Sequence, residues 1–231
     1  MSFKQRYEHT LSELAELCRE AGRDPREVRV IAVSKTVDAD AVAAAIAAGA
    51  HEFGENRPDN IAARAGRFPE ETWHFIGNVQ SRKIPEIVQN ASLVHSLYQE
   101  HHLHRFESAA AEIGKVQDVL LEVNVSGEES KSGLAPADVS DMLAKCADFP
   151  HIRVRGLMTM APQGDAHVAR ECFDGLAQLH ADLRKGLDAD HAAVFNELSM
   201  GMSEDWHEAV LAGATMVRIG RALFDDAFPC L

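Results

Sequence analysis

The sequence lacks any apolar run close to the ~20 residues that a membrane-spanning helix needs. Its first twenty residues are charged throughout, without the apolar core of a signal peptide. No Cys-x-x-Cys pair occurs among the four scattered cysteines, Cys18, Cys146, Cys172 and Cys230. This spacing argues against a disulfide framework and against a zinc site. We therefore expect a cytoplasmic protein with reduced thiols, no membrane segment and no bound metal.

A basic stripe is also missing. The formal net charge is −13, and a surface of that sign repels phosphate backbones, so nucleic acid is not an expected partner. The histidine-rich run at 100–104 has no acidic residue at ligand spacing. It is more typical of a solvated helix face than of a metal site.

Short apolar runs rich in Val, Ile and Phe alternate with helical patterns along the chain. The predicted strands are 28–34, 51–54, 74–77, 93–97, 116–125, 154–158, 197–200 and 215–219. The predicted helices are 3–22, 39–48, 57–66, 80–89, 100–113, 136–147, 167–185 and 204–212.

Strict alternation of strands and helices predicts a parallel sheet, because parallel neighbours need crossover connections. Eight such units in 231 residues favour a closed (β/α)₈ TIM-type barrel with an extra N-terminal helix. A doubly wound open sheet is the alternative fold. No linker or change of composition divides the chain, so we expect one domain over 1–231.

Lys35 directly follows the first predicted strand. In such a barrel, the carboxyl ends of the strands carry the active-site side chains. The apolar residues around Lys35 would partly desolvate its amine and favour the neutral, nucleophilic form that makes a Schiff base. The alternative is a surface lysine that keeps its ammonium group in water.

The last two predicted strands end on Ser199 and Gly220. Barrel enzymes often hold a phosphate on the loops after strands seven and eight, using backbone N–H groups at a helix N-terminus. Closure makes strand eight the neighbour of strand one, which would bring this phosphate site close to Lys35. Ser203 is typical of the N-cap of the following helix. The alternative is that the segment 199–203 is only a turn.

Arg218 lies two residues before Gly220 and points either into the barrel mouth or outward to a helix carboxylate. In the mouth, it would lie against the pyridine nitrogen of a bound cofactor. An arginine there keeps that nitrogen unprotonated, which disfavours reactions through a strongly stabilised carbanion.

Motifs along nearly the whole chain resemble those of the pyridoxal phosphate homeostasis proteins (YggS-type), whose barrel has the fold of the alanine racemase N-terminal domain. The motifs are AVSKT at 32–36, FGEN at 53–56, WHFIG at 73–77, EVNV at 122–125, KSG at 131–133, RGLMTM at 155–160, LSMGMS at 198–203 and MVRIG at 216–220. The resemblance implies a fold-type-III barrel that binds pyridoxal 5′-phosphate.

The resemblance also implies a set of cofactor-binding residues: Lys35, Asn56, Ser199, Met200, Arg218, Gly220 and Arg221. Lys35 would form the Schiff base. Ser199 and the backbone at Gly220 and Arg221 would hold the phosphate, Arg218 would face the pyridine nitrogen, and Asn56 and Met200 would lie near the ring.

Members of this family resemble carriers or regulators of vitamin B6 and amino-acid pools. We therefore expect pyridoxal phosphate as ligand, amino acids and recipient apo-enzymes as further partners, and no efficient catalysis. An amino-acid racemase is the alternative, but it needs a second acid on the opposite face of the substrate. Related racemases take a tyrosine from a C-terminal β domain across a dimer interface. We expect neither that domain nor that dimer here, and neither Tyr7 nor Tyr98 is predicted at a strand end.

A third hypothesis belongs to another class of enzyme. Lys35 would form a Schiff base with a sugar phosphate in a lyase or aldolase, while Ser199 and Gly220 would hold the phosphate of that substrate.

Overall fold

In the computed structural model, which describes residues 1–229, eight parallel strands form a closed barrel. Each strand pairs with the next along the chain, and the last pairs with the first. The strands are β1 Arg29–Val33, β2 Glu52–Glu55, β3 Thr72–Phe75, β4 Leu93–Leu97, β5 Gln117–Glu122, β6 Ile152–Met158, β7 Glu197–Ser199 and β8 Met216–Ile219. The closed barrel is thus confirmed and the open-sheet alternative is wrong.

Helices follow the strands in the expected order. They are α1 Phe3–Glu20, α2 Ala39–Ala47, α3 Pro58–Arg67, α4 Ile84–Asn90, α5 Leu103–Glu112, α6 Val139–Cys146, α7 Ala166–Lys185, α8 Ala189–Val194, α9 Trp206–Leu211 and α10 Arg221–Phe224. The sequence prediction missed the short α8, whereas α10 is the short helix that was expected after Gly220 without stated bounds. None of the helices within residues 1–229 combines the length and apolar content needed to cross a membrane.

The barrel interior is filled by side chains that alternate with the outward, helix-facing residues of each strand. One inner cluster is apolar and consists of Ile31, Leu93, Leu120, Met158 and Met216. This cluster fills part of the barrel interior with apolar side chains.

Most strand ends differ from the prediction by one to three residues, and β3 and β5 show the physical reason. β3 starts at Thr72, two residues early, because Glu52 of β2 pairs with Thr72 and sets the register. β5 ends at Glu122, although 116–125 was predicted. There the chain pairs with Leu134 instead, which donates to the Glu122 carbonyl and accepts from the Asn124 amide.

The N-terminal helix holds the end of the chain against the barrel. Arg6 on α1 is buried and donates to the carbonyl oxygens of Ala222, Asp226 and Phe228. These contacts attach α1 to the segment that follows β8, at the predicted phosphate site.

Candidate functional site

Lys35 lies two residues past the end of β1, at the carboxyl end of the barrel, as predicted. Its side chain is exposed, so the expected partial desolvation is wrong. The reason is local: Ser34 turns inward and donates to Glu55 Oε1 at 2.6 Å, which directs the next residue toward solvent. Within residues 1–229 the Lys35 amine forms no hydrogen bond or ion pair. It is therefore free to react.

The loop after β8 packs directly against the strand that leads to Lys35. Ala32 of β1 is paired with Ile219 of β8. A Cβ added to Gly220 would lie 3.4 Å from both the Cβ and the carbonyl oxygen of Val33. Barrel closure thus brings the predicted phosphate loop beside the end of β1.

The hydroxyl at this loop belongs to Ser203. Its Oγ accepts hydrogen bonds from the amides of Gly220 and Ala222, each at 3.2 Å. The Arg221 amide between them has no partner in the described part of the chain. Two of these three adjacent amides are bonded to Ser203, so the Arg221 amide and the Ser203 hydroxyl proton are the donors that this polar cradle can offer to a phosphate.

Sequence reasoning assigned Ser203 only a capping role, and the structure gives α9 a later start, at Trp206. The turn that brings Ser203 to the amides requires Gly201, which has φ +90°. A Cβ at Gly201 would lie 2.6 Å from the Cβ of Ala209. The signal available in the sequence was the second serine of the 198–203 motif.

Ser199 is fully buried inside the barrel. Its Oγ accepts from Arg218 Nη1 at 2.6 Å and lies 2.9 Å from His95 Nδ1. The hydroxyl that was predicted to hold phosphate is therefore already engaged by two side chains. Its role toward a cofactor stays a prediction.

Arg218 points into the barrel, so the outward alternative is wrong. It is 4% exposed, and its Nη2 donates to the Thr159 carbonyl at 2.9 Å. Burial lowers the pKa of Arg218 to about 10, which still leaves the guanidinium charged at neutral pH. Its Nε–H forms no hydrogen bond with the residues described and is available to a ligand.

Glu122 closes β5 on the same inward face as Leu120 of the inner cluster. Its side chain is 2% exposed, and Oε1 has no hydrogen-bond partner within residues 1–229. Burial raises the pKa of Glu122 to about 7, against the opposing effect of the Arg218 charge. A buried carboxyl oxygen without a hydrogen bond destabilises the folded protein, so Glu122 Oε1 is a candidate contact for a ligand. Sequence reasoning did not single out Glu122.

The remaining predicted residues have different surroundings. Asn56 is half-buried after β2, and its carbonyl oxygen lies so close to Gly77 that a Cβ on Gly77 would clash with it. Met200 is fully buried in the main hydrophobic core. The Arg221 side chain is exposed and pairs with Glu204 at 2.9 Å, so only its backbone faces the cradle. The cofactor roles of Asn56, Met200 and Arg221 stay predictions.

The two tyrosines occupy different places. Tyr7 is buried on α1. Tyr98 directly follows β4 and is half-buried, so the expectation that neither tyrosine lies at a strand end is wrong for Tyr98. The prediction ended this strand at Leu97 and did not count the next residue, Tyr98, as part of the strand end. Within residues 1–229, no group of three or more His, Cys, Asp or Glu side chains could hold a metal ion.

Comparison with known proteins covers almost the whole chain. The family model "Alanine racemase, N-terminal domain" matches residues 5–227. The "Pyridoxal phosphate homeostasis protein" of Pseudomonas aeruginosa is 39% identical over 214 residues, which cover 91% of this chain and 90% of that protein. The same name belongs to an Aquifex aeolicus protein that is 32% identical over 98% of this chain and 99% of its own length.

Among solved structures, PipY of Synechococcus elongatus with pyridoxal phosphate bound matches with a TM-score of 0.77 and 32% identity. The match covers 91% of this chain and 99% of PipY.

Proposed function

The chain belongs to the family of the pyridoxal phosphate homeostasis proteins, and we propose that it binds pyridoxal 5′-phosphate through a Schiff base on Lys35. In this proposal it carries or buffers the cofactor and takes part in vitamin B6 and amino-acid homeostasis. The observation that carries the proposal is the packing of the Gly220 loop, with its Ser203 cradle, against the strand that ends at Lys35. Bound pyridoxal phosphate supplies an aldehyde that condenses with a primary amine and releases water.

The phosphate would be held by the backbone at Gly220 and Arg221, through the Arg221 amide, and by the hydroxyl of Ser203. This assignment moves the hydroxyl from Ser199 to Ser203. Ser203 Oγ accepts from the Gly220 and Ala222 amides and keeps its own proton to donate, whereas Ser199 Oγ is bonded to both Arg218 and His95 inside the barrel. Ser199 would then act by holding Arg218.

The ring would be recognised from the floor of the barrel mouth. Arg218 offers a free Nε–H, and a cationic arginine beside the pyridine nitrogen keeps that nitrogen from taking a proton. An unprotonated pyridine withdraws electrons weakly from a bound substrate. This electronic effect supports a carrier over an efficient catalyst of carbanion chemistry.

A racemase is the competing function. The names of the relatives refer to homeostasis and not to a reaction, which supports the carrier. Tyr98 is the one tyrosine that the fold brings to the carboxyl end of the barrel within residues 1–229. Prolonged incubation of the cofactor-loaded protein with L-amino acids, followed by chiral analysis, tests the carrier. Efficient racemisation would overturn it.

The first experiment is reconstitution of the purified protein with pyridoxal phosphate, followed by the absorbance of the Schiff base. We expect a visible band that is absent in Lys35→Ala and unchanged in Lys185→Ala, a matched control because that lysine lies at the exposed end of α7. A colourless wild-type protein would refute the proposal. It would also favour the aldolase hypothesis, which needs no pyridoxal phosphate.

Location and assembly are further parts of the proposal. We propose a cytoplasmic monomer that delivers its cofactor to recipient apo-enzymes. Light scattering coupled to size-exclusion chromatography tests the monomer, and transfer from the loaded protein to an apo-enzyme with its own spectral signal tests delivery.

A further inference from the structure

Five side chains form an unbroken hydrogen-bonded row through the barrel. Arg218 Nη1 lies 2.6 Å from Ser199 Oγ, and Ser199 Oγ lies 2.9 Å from His95 Nδ1. The row continues from His95 Nε2 to His74 Nδ1 at 2.9 Å and from His74 Nε2 to Glu52 Oε2 at 2.8 Å. The members come from β8, β7, β4, β3 and β2.

This row connects the two ends of the barrel. Arg218 lies at the candidate cofactor site, whereas Glu52 opens β2 at the opposite end and is a quarter exposed. The three middle members are at most 1% exposed, so water cannot replace a missing partner along the row. Every hydrogen bond in it must therefore come from the protein itself.

The first and last members set the direction of the hydrogen bonds. A guanidinium can only donate and an ionised carboxylate can only accept. Burial, the largest single influence, raises the pKa of Glu52, but the hydrogen bond from His74 and the charge of Arg29, 3.5 Å away, together lower it by more, so Glu52 is ionised. The row must consequently begin with a donor at Arg218 and end with an acceptor at Glu52.

Only one arrangement of neutral histidines satisfies all members. Ser199 accepts from Arg218 and gives its hydroxyl proton to His95 Nδ1. His95 then carries its proton on Nε2 and donates to His74 Nδ1, and His74 donates from Nε2 to Glu52. Burial, together with the charges of Arg218 and Arg29, holds the pKa of His95 well below its usual range, which agrees with a neutral ring.

The reverse arrangement leaves an unpaired proton. If His95 carried its proton on Nδ1, Ser199 would accept twice and its own hydroxyl proton would have no acceptor within the described structure. A buried donor without an acceptor is costly. Ser199 can present its lone pair to Arg218 without this cost only when His95 takes the hydroxyl proton.

We propose that His95, supported by His74 and Glu52, is a positioning residue that fixes the Ser199 hydroxyl and through it the orientation of Arg218. This inference rests on the proposed function, because Arg218 matters as the group that faces the cofactor ring. Its immediate basis is the continuous row of side chains.

The orientation of Arg218 depends on these neutral acceptors because no carboxylate within residues 1–229 bonds to it. The charged groups around the row are Arg29 and Glu197 near Glu52, and Glu122 and Asp205 near Arg218. Within the described residues, neither Glu122 nor Asp205 forms a hydrogen bond with Arg218, and each acts on it only through its charge. Ser199 Oγ and the Thr159 carbonyl are therefore what directs the guanidinium.

The first test is nitrogen-15 NMR of the histidine rings in the cofactor-free protein at neutral pH. We expect both His95 and His74 to carry the proton on Nε2, with unprotonated Nδ1. A proton on Nδ1 of His95 would overturn the proposal. This measurement uses the unmodified protein and does not depend on cofactor binding, so a protein that never binds pyridoxal phosphate would refute the proposed function alone.

The second test compares His95→Asn with His95→Gln. The amide of asparagine places an acceptor near the position of Nδ1, whereas that of glutamine reaches toward Nε2. We expect His95→Asn to keep most of the affinity for pyridoxal phosphate and His95→Gln to lose roughly two- to tenfold, the effect of one hydrogen bond. The pH profile of the bound-cofactor absorbance should shift in His95→Gln and stay in place in His95→Asn.

A merely structural role would give another pattern. Both variants would then lower the thermal midpoint of the cofactor-free protein while affinity and pH profile stayed at the wild-type values, and that result would overturn the proposal. If either variant does not fold, the NMR measurement decides.

Discussion

Glu122 gives the sharpest quantitative prediction, because a carboxyl without a hydrogen-bond partner lies buried beside Arg218. Its pKa rises from 4.5 in the unfolded chain to about 7 in the folded protein. The folded state therefore binds this proton more tightly than the unfolded state. The stabilising contribution is complete below about pH 4.5 and is lost as the pH rises to about 7. Glu122→Gln removes the titration and keeps the shape of the side chain.

The magnitude follows from the shift. Each pKa unit corresponds to about 1.4 kcal/mol, so a rise from 4.5 to about 7 is worth about 3 kcal/mol at most. The quantity to compare is the difference in unfolding free energy between the wild type and Glu122→Gln. We expect this difference to fall by about 1–3 kcal/mol between pH 4.5 and 7.5 and to change little above pH 7.5.

Urea unfolding of the cofactor-free protein across this pH range measures the difference. Glu112→Gln is the matched control, since Glu112 is exposed at the end of α5 and its substitution should show no such pH dependence. A difference for Glu122→Gln that does not vary with pH would refute the reasoning. It would mean that the carboxyl finds solvent or a partner in solution.

Four further outcomes are expected. Lys35→Ala should abolish the Schiff-base absorbance without lowering the thermal midpoint, because the exposed side chain has no hydrogen bond or ion pair within residues 1–229 to lose; a large drop in the midpoint would contradict its exposed position. Ser203→Ala should weaken pyridoxal phosphate binding by roughly two- to tenfold in an absorbance titration, and an unchanged affinity would remove Ser203 from the phosphate cradle. Gly201→Ala should lower the free energy of unfolding more than Gly213→Ala, because both glycines have positive φ but only at Gly201 would the new Cβ meet a neighbour. Equal losses would mean that backbone strain alone matters. Tyr98→Phe should leave any residual racemisation unchanged, and its loss would identify Tyr98 as the opposite-face acid and favour a racemase.

The candidate site was only partly predictable from the sequence. Lys35 and Gly220 were found because each follows an apolar strand, and strand ends meet at one end of a barrel. Ser199 and Ser203 are four residues apart in one motif, and nothing in the sequence shows which of them faces the cradle. The loop geometry at Gly201 makes that choice.

The row behind Arg218 was beyond sequence reasoning. His95 and Ser199 are 104 residues apart, and each looks ordinary in its own strand. His74 alone is more typical of a hydrogen-bonded core histidine. Glu122 entered the sequence analysis only as the first residue of the motif at 122–125, since an acid at a strand end is normally solvated. Its burial, and the lack of a hydrogen-bond partner for Oε1 within residues 1–229, are seen only in the structure.

The sequence by itself determined the closed barrel and the position of Lys35 at its carboxyl end. Strict alternation of strands and helices permits few topologies, and eight units close the sheet. Only the tertiary structure decided the exposure of Lys35, the identity of the cradle hydroxyl and the direction in which Arg218 points. Local periodicity depends on neighbours within a few residues. Burial and hydrogen bonding depend instead on the register of distant strands, which closure of the barrel sets.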